Sequence, residues 1–203
     1  MQKGNFYFLS DQYFVDFPDE YLMRNKESVT GAPAGRPCYY SFLDASTNIY
    51  WLIPFSSKYP KFQAIHDKKV AKYKHCDTIV MGEILGYKKA FLIQNMCPVT
   101  PKYIISEYIH NSVPVTIPAN LQAELDSKAA RVLALVRQGK PLIFPNVLAI
   151  EQQLIAELAQ HTPAPVIAGD KSSVILKLDI AKARAEENAA APSAPTQTRE
   201  FTK

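Results

Sequence analysis

The order of its predicted secondary-structure elements most constrains what this chain can fold into. Segments rich in aromatic and β-branched residues come first, at residues 5–9, 38–54, 77–96 and 103–110. Turn-forming residues at 44–48 divide the second segment, and Gly86 with Tyr87 divides the third, so both segments are predicted to be hairpins. The first half of the chain therefore predicts six strands.

The second half of the chain changes to a helical pattern. Apolar residues recur about every 3.6 positions over 118–140, with Pro118 at the start and Gly139 at the end, and a second helical pattern covers 145–160. Strands that precede helices without alternating with them are typical of an α+β protein. We therefore predict a twisted antiparallel β-sheet of about six strands flanked by helices, two of them C-terminal.

The segments between these elements contain breakers and mixed patterns. A short helix or turn over 10–23 is predicted to break at Pro18, and the stretch 26–37, with its Gly and Pro residues, is predicted to be a loop. The first hairpin is expected to end at Pro54. Residues 61–75 predict a loop followed by a short helix.

Composition favours one globular domain in the cytoplasm. The 203 residues are 47% hydrophobic, which predicts a single domain over 1–163, and the Ala-, Pro- and Glu-rich remainder predicts a loosely attached or disordered tail over 164–203. Three cysteines without a CxxC pair fit a reducing compartment. No signal-peptide pattern or apolar run of about 18 residues is present, so neither secretion nor membrane spanning is expected.

Positive charge is concentrated in one part of the chain. The formal net charge is −2 over residues 1–55, +5 over 56–110 and +1 over 111–203. A local basic patch indicates an anionic partner such as a nucleic acid, although a merely solvated basic face is an equally common origin.

The basic part begins with the stretch "IPFSSKYPKF", residues 53–62. A simple turn would more often use Gly, Asn or Asp at this place. Ser56, Ser57 and Lys58 instead combine hydroxyl donors with a positive charge, and this combination is suited to binding phosphate.

Other chemistries find little support in the sequence. The cysteines and histidines lack the paired short spacing of zinc ligands, so no metal site is predicted. A GxSxG nucleophile elbow, a GxGxxG motif and a GxxxxGK[ST] motif do not occur, which argues against a serine hydrolase and a nucleotide-binding fold.

Metal-free cleavage of RNA fits the available residues better. In that reaction the substrate's 2′-hydroxyl attacks the adjacent phosphate, and the enzyme supplies a base, an acid and donors for the developing charge. Candidates for binding the phosphate are Ser56, Ser57, Lys58 and Arg36, and His66 is the candidate for proton transfer. Candidate RNA contacts are Lys61, Lys68, Lys69, Lys72, Lys74, Tyr39 and Tyr59.

Each of these residues also has an ordinary structural interpretation. Ser56 and Ser57 are more often turn hydroxyls or helix caps, lysines are usually solvated, and strand tyrosines usually belong to the core. His66 is also compatible with a half-buried position on a helix, and Arg36 with holding its loop.

The order of four short segments, "FYFLSDQYFVDF", "GRPCYYSF", "YWLIPFSSKYPKF" and "FLIQNMCPVTPKYI", resembles the ToxN/AbiQ family of type III toxin-antitoxin ribonucleases, and within it the CptN and TenpN branches. The resemblance covers roughly residues 5–160. In that family a strand ends in Pro, one apolar residue and a hydroxyl pair with a lysine nearby, and an Asn-Met-x-Pro segment follows the second hairpin.

The resemblance implies a fold and an activity. The fold would be a MazF/Kid-like toxin core with C-terminal helices. The activity would be sequence-specific, metal-independent cleavage of adenine-rich RNA to 2′,3′-cyclic phosphate and 5′-hydroxyl ends, without a cofactor. The partner would be an RNA antitoxin of repeated pseudoknots that binds the toxin directly in a hetero-oligomeric toxin–RNA assembly. The biological role would be phage defence or plasmid maintenance.

The resemblance also implies site residues, with two departures. The hydroxyl pair of the family falls on Ser56 and Ser57, and the basic residue at the start of the second strand falls on Arg36. A family lysine falls on Tyr59, so Lys58 or Lys61 would substitute for it. A family tyrosine falls on Ala32, which leaves the general base open and directs attention to His66.

Two other functions remain open from the sequence. One is an RNA-binding regulator of the same fold that sequesters RNA without cutting it, for which the basic patch would suffice. The other is a MazF- or Kid-type ribonuclease toxin that is inhibited by a protein antitoxin.

Overall fold

A computed structural model of the chain describes residues 1–27 and 33–161. The predicted tail over 164–203 lies outside the described residues, as do positions 28–32 of the predicted loop. Four helices occur in the described part: α1 (Asp11–Asp16), α2 (Tyr59–Tyr73), α3 (Ala119–Arg137) and α4 (Val147–His161). Single 3₁₀ turns span Ile93–Asn95 and Pro101–Tyr103.

Strands dominate the part of the chain that precedes α3. They are β1 (Phe6–Leu9), β2 (Lys26–Glu27), β3 (Pro33–Ala34), β4 (Pro37–Asp44), β5 (Ile49–Ser56), β6 (Val80–Ile84), β7 (Tyr87–Phe91), β8 (Cys97–Val99), β9 (Ile104–Glu107), β10 (Ile109–His110) and β11 (Val113–Pro114). Within the described residues, seven of them form one sheet in the order β6-β7-β5-β4-β1-β9, with β8 also paired to β5. Every pairing is antiparallel, so the prediction of an α+β fold around an antiparallel sheet is confirmed.

Strand β5 continues past Pro54, so the prediction that this proline ends the strand is wrong. On one edge β5 pairs with β4 as far as Pro54, and on the other edge it pairs first with β8 and then, at Phe55 and Ser56, with β7. Proline has no amide hydrogen to donate to a neighbouring strand. Pro54 lies where β5 changes partners, and its carbonyl accepts a hydrogen bond from the Leu92 amide at 2.9 Å.

Both predicted hairpins are present. The β4–β5 turn has Asn48 at a φ of 59°, and the β6–β7 turn has Leu85 and Gly86 at φ values of 52° and 77°. Two consecutive left-handed residues match the twist of a two-residue hairpin turn. This turn begins one residue earlier than the predicted Gly86-Tyr87 pair.

Two further predictions change at their boundaries. Residues 59–73 form one continuous helix, α2, instead of a loop and a short helix, because Pro60 lies in the first turn, where no helical amide bond is lost. The predicted strand 103–110 is two strands, β9 and β10, separated by Tyr108. The Tyr108 amide donates a 2.7 Å hydrogen bond to the Phe6 carbonyl.

The sheet is covered on both faces. On one face Trp51, Ile53 and Phe91 pack in a core with Leu125 and Ala129 of α3. On the other face a second core joins α1 and α4 to the sheet through buried residues that include Tyr13, Tyr40, Leu52, Tyr103 and Leu154. In the described part of the chain, helices therefore pack on both faces of an antiparallel sheet.

A third, smaller hydrophobic cluster lies under α2. A small cluster of Ile79, Ala90 and Leu92 packs under α2, against its partly buried Phe62, Ile65 and Val70. Cys38, Cys76 and Cys97 are all buried free thiols, and burial raises the pKa of Cys97 to about 12. No helix in the described ranges has the length and hydropathy needed to span a bilayer.

Leu125→Ala tests the placement of α3 on the sheet. Leu125 is fully buried, so its truncation removes apolar contacts and leaves a cavity. We expect the free energy of unfolding to fall by about 2–5 kcal/mol, measured by urea denaturation. Ser127→Ala, at an exposed position of the same helix, should change it by less than about 0.5 kcal/mol. Equal stabilities of the two variants would contradict this packing.

Candidate active site

A groove of about 400 Å³ opens at one end of the sheet, beside the β6–β7 hairpin. Strand β5, the segment before β4, the β6–β7 hairpin and the β10 strand all contribute to it. Its walls are formed by Gly35, Arg36, Pro37, Phe55, Ser57, Ile84, Leu85, Tyr87, Lys89, Tyr108 and His110.

The groove is an extension of the core face that packs against α3. Successive side chains on a strand alternate between faces, so every second residue of β5 and β7 points to the same side. Along β5 this face carries Trp51 and Ile53 in the core, then Phe55 in the groove floor, and Ser57 follows just beyond the strand. A core face therefore becomes a polar groove face where the apolar residues end.

Ser57 and Lys89 meet across the β5–β7 pairing. Because Ser56 pairs with Ala90, the next residues on each side, Ser57 and Lys89, come together. The Lys89 ammonium donates a hydrogen bond to the Ser57 hydroxyl oxygen at 2.8 Å and lies 5.6 Å from the centre of the Tyr87 ring. The pair presents a hydroxyl hydrogen and further ammonium hydrogens to the groove.

Arg36 is held in the groove wall by backbone carbonyls. Its Nη1 donates to the Phe55 carbonyl at 3.1 Å, and its Nε donates to the Arg24 carbonyl at 3.2 Å. Partial burial lowers the pKa of Arg36 from its ordinary value, but a guanidinium keeps its charge at neutral pH. Arg36 is therefore a fixed cation in the groove wall.

The β10–β11 hairpin forms another wall of the groove. Tyr108 packs edge-to-face on Phe8, with ring centres 5.6 Å apart. His110 follows it, and the hairpin then turns at Asn111 and Ser112, whose φ values are 50° and 63°. This wall brings an imidazole and a phenol to the same groove as Ser57.

The electrostatic character of the groove is positive. Arg36 and Lys89 line it, and none of its lining residues is an aspartate or glutamate. Across the described ranges, neither cation forms an ion pair with a carboxylate. Cations without a carboxylate partner, in a partly enclosed groove, favour an anionic ligand.

The structure brings two of the sequence-predicted catalytic residues, Arg36 and Ser57, into this groove. Ser56 points away and is buried, and its hydroxyl oxygen accepts a hydrogen bond from the Lys58 amide at 3.2 Å. Lys58 is the exposed residue that precedes α2. Ala32, where the family tyrosine would fall, lies outside the described residues.

His66 lies on α2 and does not line the groove. The helix rise places it about 12 Å along the axis from Lys58. Its Nδ1 is 3.1 Å from the Asp67 carboxylate, and its side chain is 24% exposed.

Some lysines predicted to contact RNA are exposed, whereas others are hydrogen-bonded or placed within the fold. Lys61, Lys68 and Lys72 are exposed and, at spacings of seven and four residues, lie along one side of α2. Lys69 instead donates to the Thr78 hydroxyl at 2.7 Å and to the Gln94 side chain at 3.2 Å. Lys74 ends α2 in a left-handed conformation, with a φ of 67°.

The two predicted base-stacking tyrosines differ in the same way. Tyr39 is fully buried and its hydroxyl donates to Asp126 at 3.2 Å, so its ring cannot stack on RNA in this fold. Tyr59 is half-buried at the start of α2, and the Lys88 ammonium lies 5.6 Å from its ring centre.

Four lining residues with polar side chains were not predicted from the sequence: Tyr87, Lys89, Tyr108 and His110. For the first two a signal was present. In "YKKAF" the alternation that buries Phe91 on the α3 face also places Lys89 and Tyr87 on that face. Tyr108 and His110 gave no such signal, because their position depends on the separate β10–β11 hairpin.

Comparisons with known proteins show a likeness to solved structures but no family. No protein-family model and no curated protein matches the chain. One solved structure to which it is similar is AbiQ, a lactococcal anti-phage endoribonuclease belonging to the type-III toxin-antitoxin system. The two chains are 14% identical, the match covers 92% of this chain and 99% of AbiQ, and the TM-score is 0.37. A likeness at this level assigns no activity.

Substitution of the two adjacent serines should have different effects on stability. Ser56→Ala removes the acceptor of the Lys58 amide at a buried position, so we expect unfolding to cost about 0.5–1.5 kcal/mol less. Ser57→Ala changes an exposed hydroxyl and should alter stability by less than about 0.5 kcal/mol. Urea denaturation of the two variants compares them, and a larger loss for Ser57→Ala would contradict the assignment.

Proposed function

We propose that this protein is an endoribonuclease that cleaves RNA by attack of the substrate's own 2′-hydroxyl on the adjacent phosphate. The observation that carries the proposal is the corner formed by Ser57, Lys89 and Arg36. A hydroxyl and an ammonium lie in contact at 2.8 Å, a guanidinium lines the same groove, and no carboxylate is among the lining residues.

This corner suits a phosphodiester in particular. A guanidinium and an ammonium both form charge-assisted hydrogen bonds with phosphate oxygens, and a serine hydroxyl adds a neutral donor. Donors already fixed before the substrate arrives stabilise charge that develops on the phosphate at the transition state. The carbonyls of Phe55 and Arg24 hold Arg36, and Ser57 holds Lys89.

The proposed reaction balances without a metal or a second substrate. The 2′-oxygen forms a bond to phosphorus and loses its proton, while the bond from phosphorus to the 5′-oxygen breaks and that oxygen gains a proton. The products are a 2′,3′-cyclic phosphate and a 5′-hydroxyl end. Ser57, Lys89 and Arg36 stabilise the pentavalent phosphorane through their hydrogen-bond donors.

We assign the RNA path to the groove and to α2. Tyr87 is 69% exposed at the groove edge, where its ring is open for a base to stack on. Lys61 follows Ser57 by four residues, and Lys68 and Lys72 continue the same side of α2. These lysines extend the positive charge from the groove for a further three helical turns, along which a single strand can bind through its phosphates.

We further propose that the enzyme is the toxin of a type III toxin-antitoxin system that acts in the cytoplasm in phage defence. The resemblance of its sequence segments to the ToxN/AbiQ family supports this assignment. It implies adenine-rich RNA as the substrate and a repeated RNA pseudoknot as the inhibitor, assembled with the toxin. We assign the binding of either RNA to the groove and to the α2 lysines.

Cleavage of adenine-rich RNA in EDTA tests the activity. We expect the wild-type protein to release 2′,3′-cyclic phosphate ends, and Ser57→Ala and Lys89→Gln each to lower the single-turnover rate by about 10²-fold or more, because each removes a donor to the transition state. Electrophoresis with end-group analysis measures both the rate and the product ends.

Lys140→Gln is the matched control for these variants. It removes an exposed lysine beyond the end of α3, away from the groove, and should cleave at the wild-type rate. RNA that is bound and left intact by the wild-type protein would contradict cleavage and favour a non-cleaving RNA-binding regulator.

Salt dependence tests the path along α2. For binding of a 2′-O-methyl adenine-rich strand, which lacks the attacking hydroxyl, log affinity should fall linearly with log salt. Lys61→Gln, Lys68→Gln and Lys72→Gln should each reduce the slope by about 0.7, because each loses one phosphate contact. Lys140→Gln should keep the wild-type slope. Unchanged slopes in all three α2 variants would exclude this path.

A further inference from the structure

His110 lines the groove, but it has no part in the phosphate binding proposed above. It is the last residue of β10, it is exposed, and it lines the groove together with Ser57 and Lys89. Within residues 1–27 and 33–161, neither of its ring nitrogens has a hydrogen-bond partner. An imidazole in such a place is open for proton transfer with a ligand.

The hairpin that carries His110 is attached to the main sheet at its base. The Tyr108 amide donates to the Phe6 carbonyl of β1 at 2.7 Å, and the Val115 amide closes the hairpin onto the Tyr108 carbonyl at 2.9 Å. Val115 itself is buried in the core under α3. These contacts fix the position of His110 relative to the strands that carry Ser57 and Lys89.

The lining side chains differ in whether they can accept a proton from a ligand. Arg36 and Lys89 are cations that only donate, and the Ser57 oxygen already accepts from Lys89. The other titratable groups among the lining residues are the phenols of Tyr87 and Tyr108, and no carboxylate lines the groove. His110 is therefore the one lining side chain that carries an imidazole, the group that most often serves as a general base in enzymes.

We propose that His110 is the general base of the cleavage reaction, an inference that rests on the function proposed above. The neutral imidazole takes the proton from the 2′-hydroxyl as the 2′-oxygen bonds to phosphorus. The electron pair of the broken bond leaves with the 5′-oxygen, which receives a proton from the Lys89 ammonium. The two proton transfers leave an imidazolium and a neutral amine, and exchange with water restores both.

This assignment differs from the sequence-based hypothesis of His66. His66 lies two turns into α2, beside the Asp67 carboxylate, and it is not among the residues that line the groove. The phosphate-binding residues and His110 share one cavity, whereas His66 would need a second site for the same reaction.

Single-turnover cleavage of adenine-rich RNA between pH 5 and 9 tests the proposal. We expect His110→Gln to lower the rate by about 10²–10⁴-fold, the usual contribution of a positioned base. The wild-type rate should fall at acid pH as the imidazole becomes protonated, and His110→Gln should lose this acid limb. In His110→Ala, added imidazole should raise the cleavage rate by about tenfold or more over the rate without imidazole.

Controls separate a chemical role from a structural one. His75→Gln changes an exposed histidine at the end of α2 and should keep the wild-type rate and acid limb. Binding of the 2′-O-methyl strand and the melting temperature should be the same for His110→Gln as for the wild type, because the residue is exposed and its ring has no partner in the described structure.

Three results would overturn the role of His110. They are a near-wild-type rate in His110→Gln, an acid limb that persists in that variant without rescue by imidazole, and loss of cleavage in His66→Gln with normal cleavage in His110→Gln. Failure of the wild-type protein to cut RNA is a different result. It would reject the proposed endoribonuclease function itself, and the role of His110 with it.

Discussion

Strand β5 is the constraint on which the rest of the structure depends. It is hydrogen-bonded to β4 on one edge and to both β8 and β7 on the other, so it joins the two hairpins into one sheet. Pro54 lies at the point of exchange, where the missing amide hydrogen removes no bond from a continuous ladder. The exchange aims the last residues of β5 at β7, and that pairing places Ser57 beside Lys89.

Polar contacts fix the helices around this strand. Asp126 of α3 accepts hydrogen bonds from Tyr39 at 3.2 Å and Ser41 at 2.8 Å, both on β4, and forms an ion pair with Lys3 at 2.8 Å. Burial, followed by the neighbouring Asp126 carboxylate, raises the pKa of Tyr39 above its ordinary value, so this phenol remains a donor. Arg137, near the other end of α3, joins Asp44 to the buried Glu151 of α4. These contacts fix α3 on the sheet, and none of them involves a residue that lines the groove.

Local pattern predicted much of the fold and little of the site. The hairpins and α3 follow from turn residues and helical periodicity, which act over a few positions, and they were predicted close to their observed places. The positions of the residues proposed for proton transfer and phosphate binding depend on pairings between distant segments. Lys89 meets Ser57 only through the β5–β7 register, and His110 reaches the groove only because Tyr108 is bonded to β1. A single sequence does not specify such registers.

Tertiary contacts also explain why some residues of the expected chemical type are not available to bind RNA. Lys69 and Tyr39 carry the groups expected of RNA contacts, yet the fold uses one to bind Thr78 and Gln94 and buries the other in the core. Residue type gives the chemistry that a side chain can perform, whereas burial and partners decide whether it is available. Arg36 and Ser57 satisfy both conditions.

The charges of the groove support the proposed catalysis more than they support RNA binding alone. RNA binding by itself requires only exposed lysines, and Lys61, Lys68 and Lys72 on α2 already provide these at little cost in folding energy. Holding a half-buried Arg36 without a carboxylate partner costs desolvation energy, which is reflected in its lowered pKa. An anion that gains charge during a reaction recovers this cost most fully at its transition state, because the donors are already oriented. A groove that combines such a cation with Ser57, Lys89 and an imidazole is therefore better matched to a phosphorane than to a resting phosphodiester.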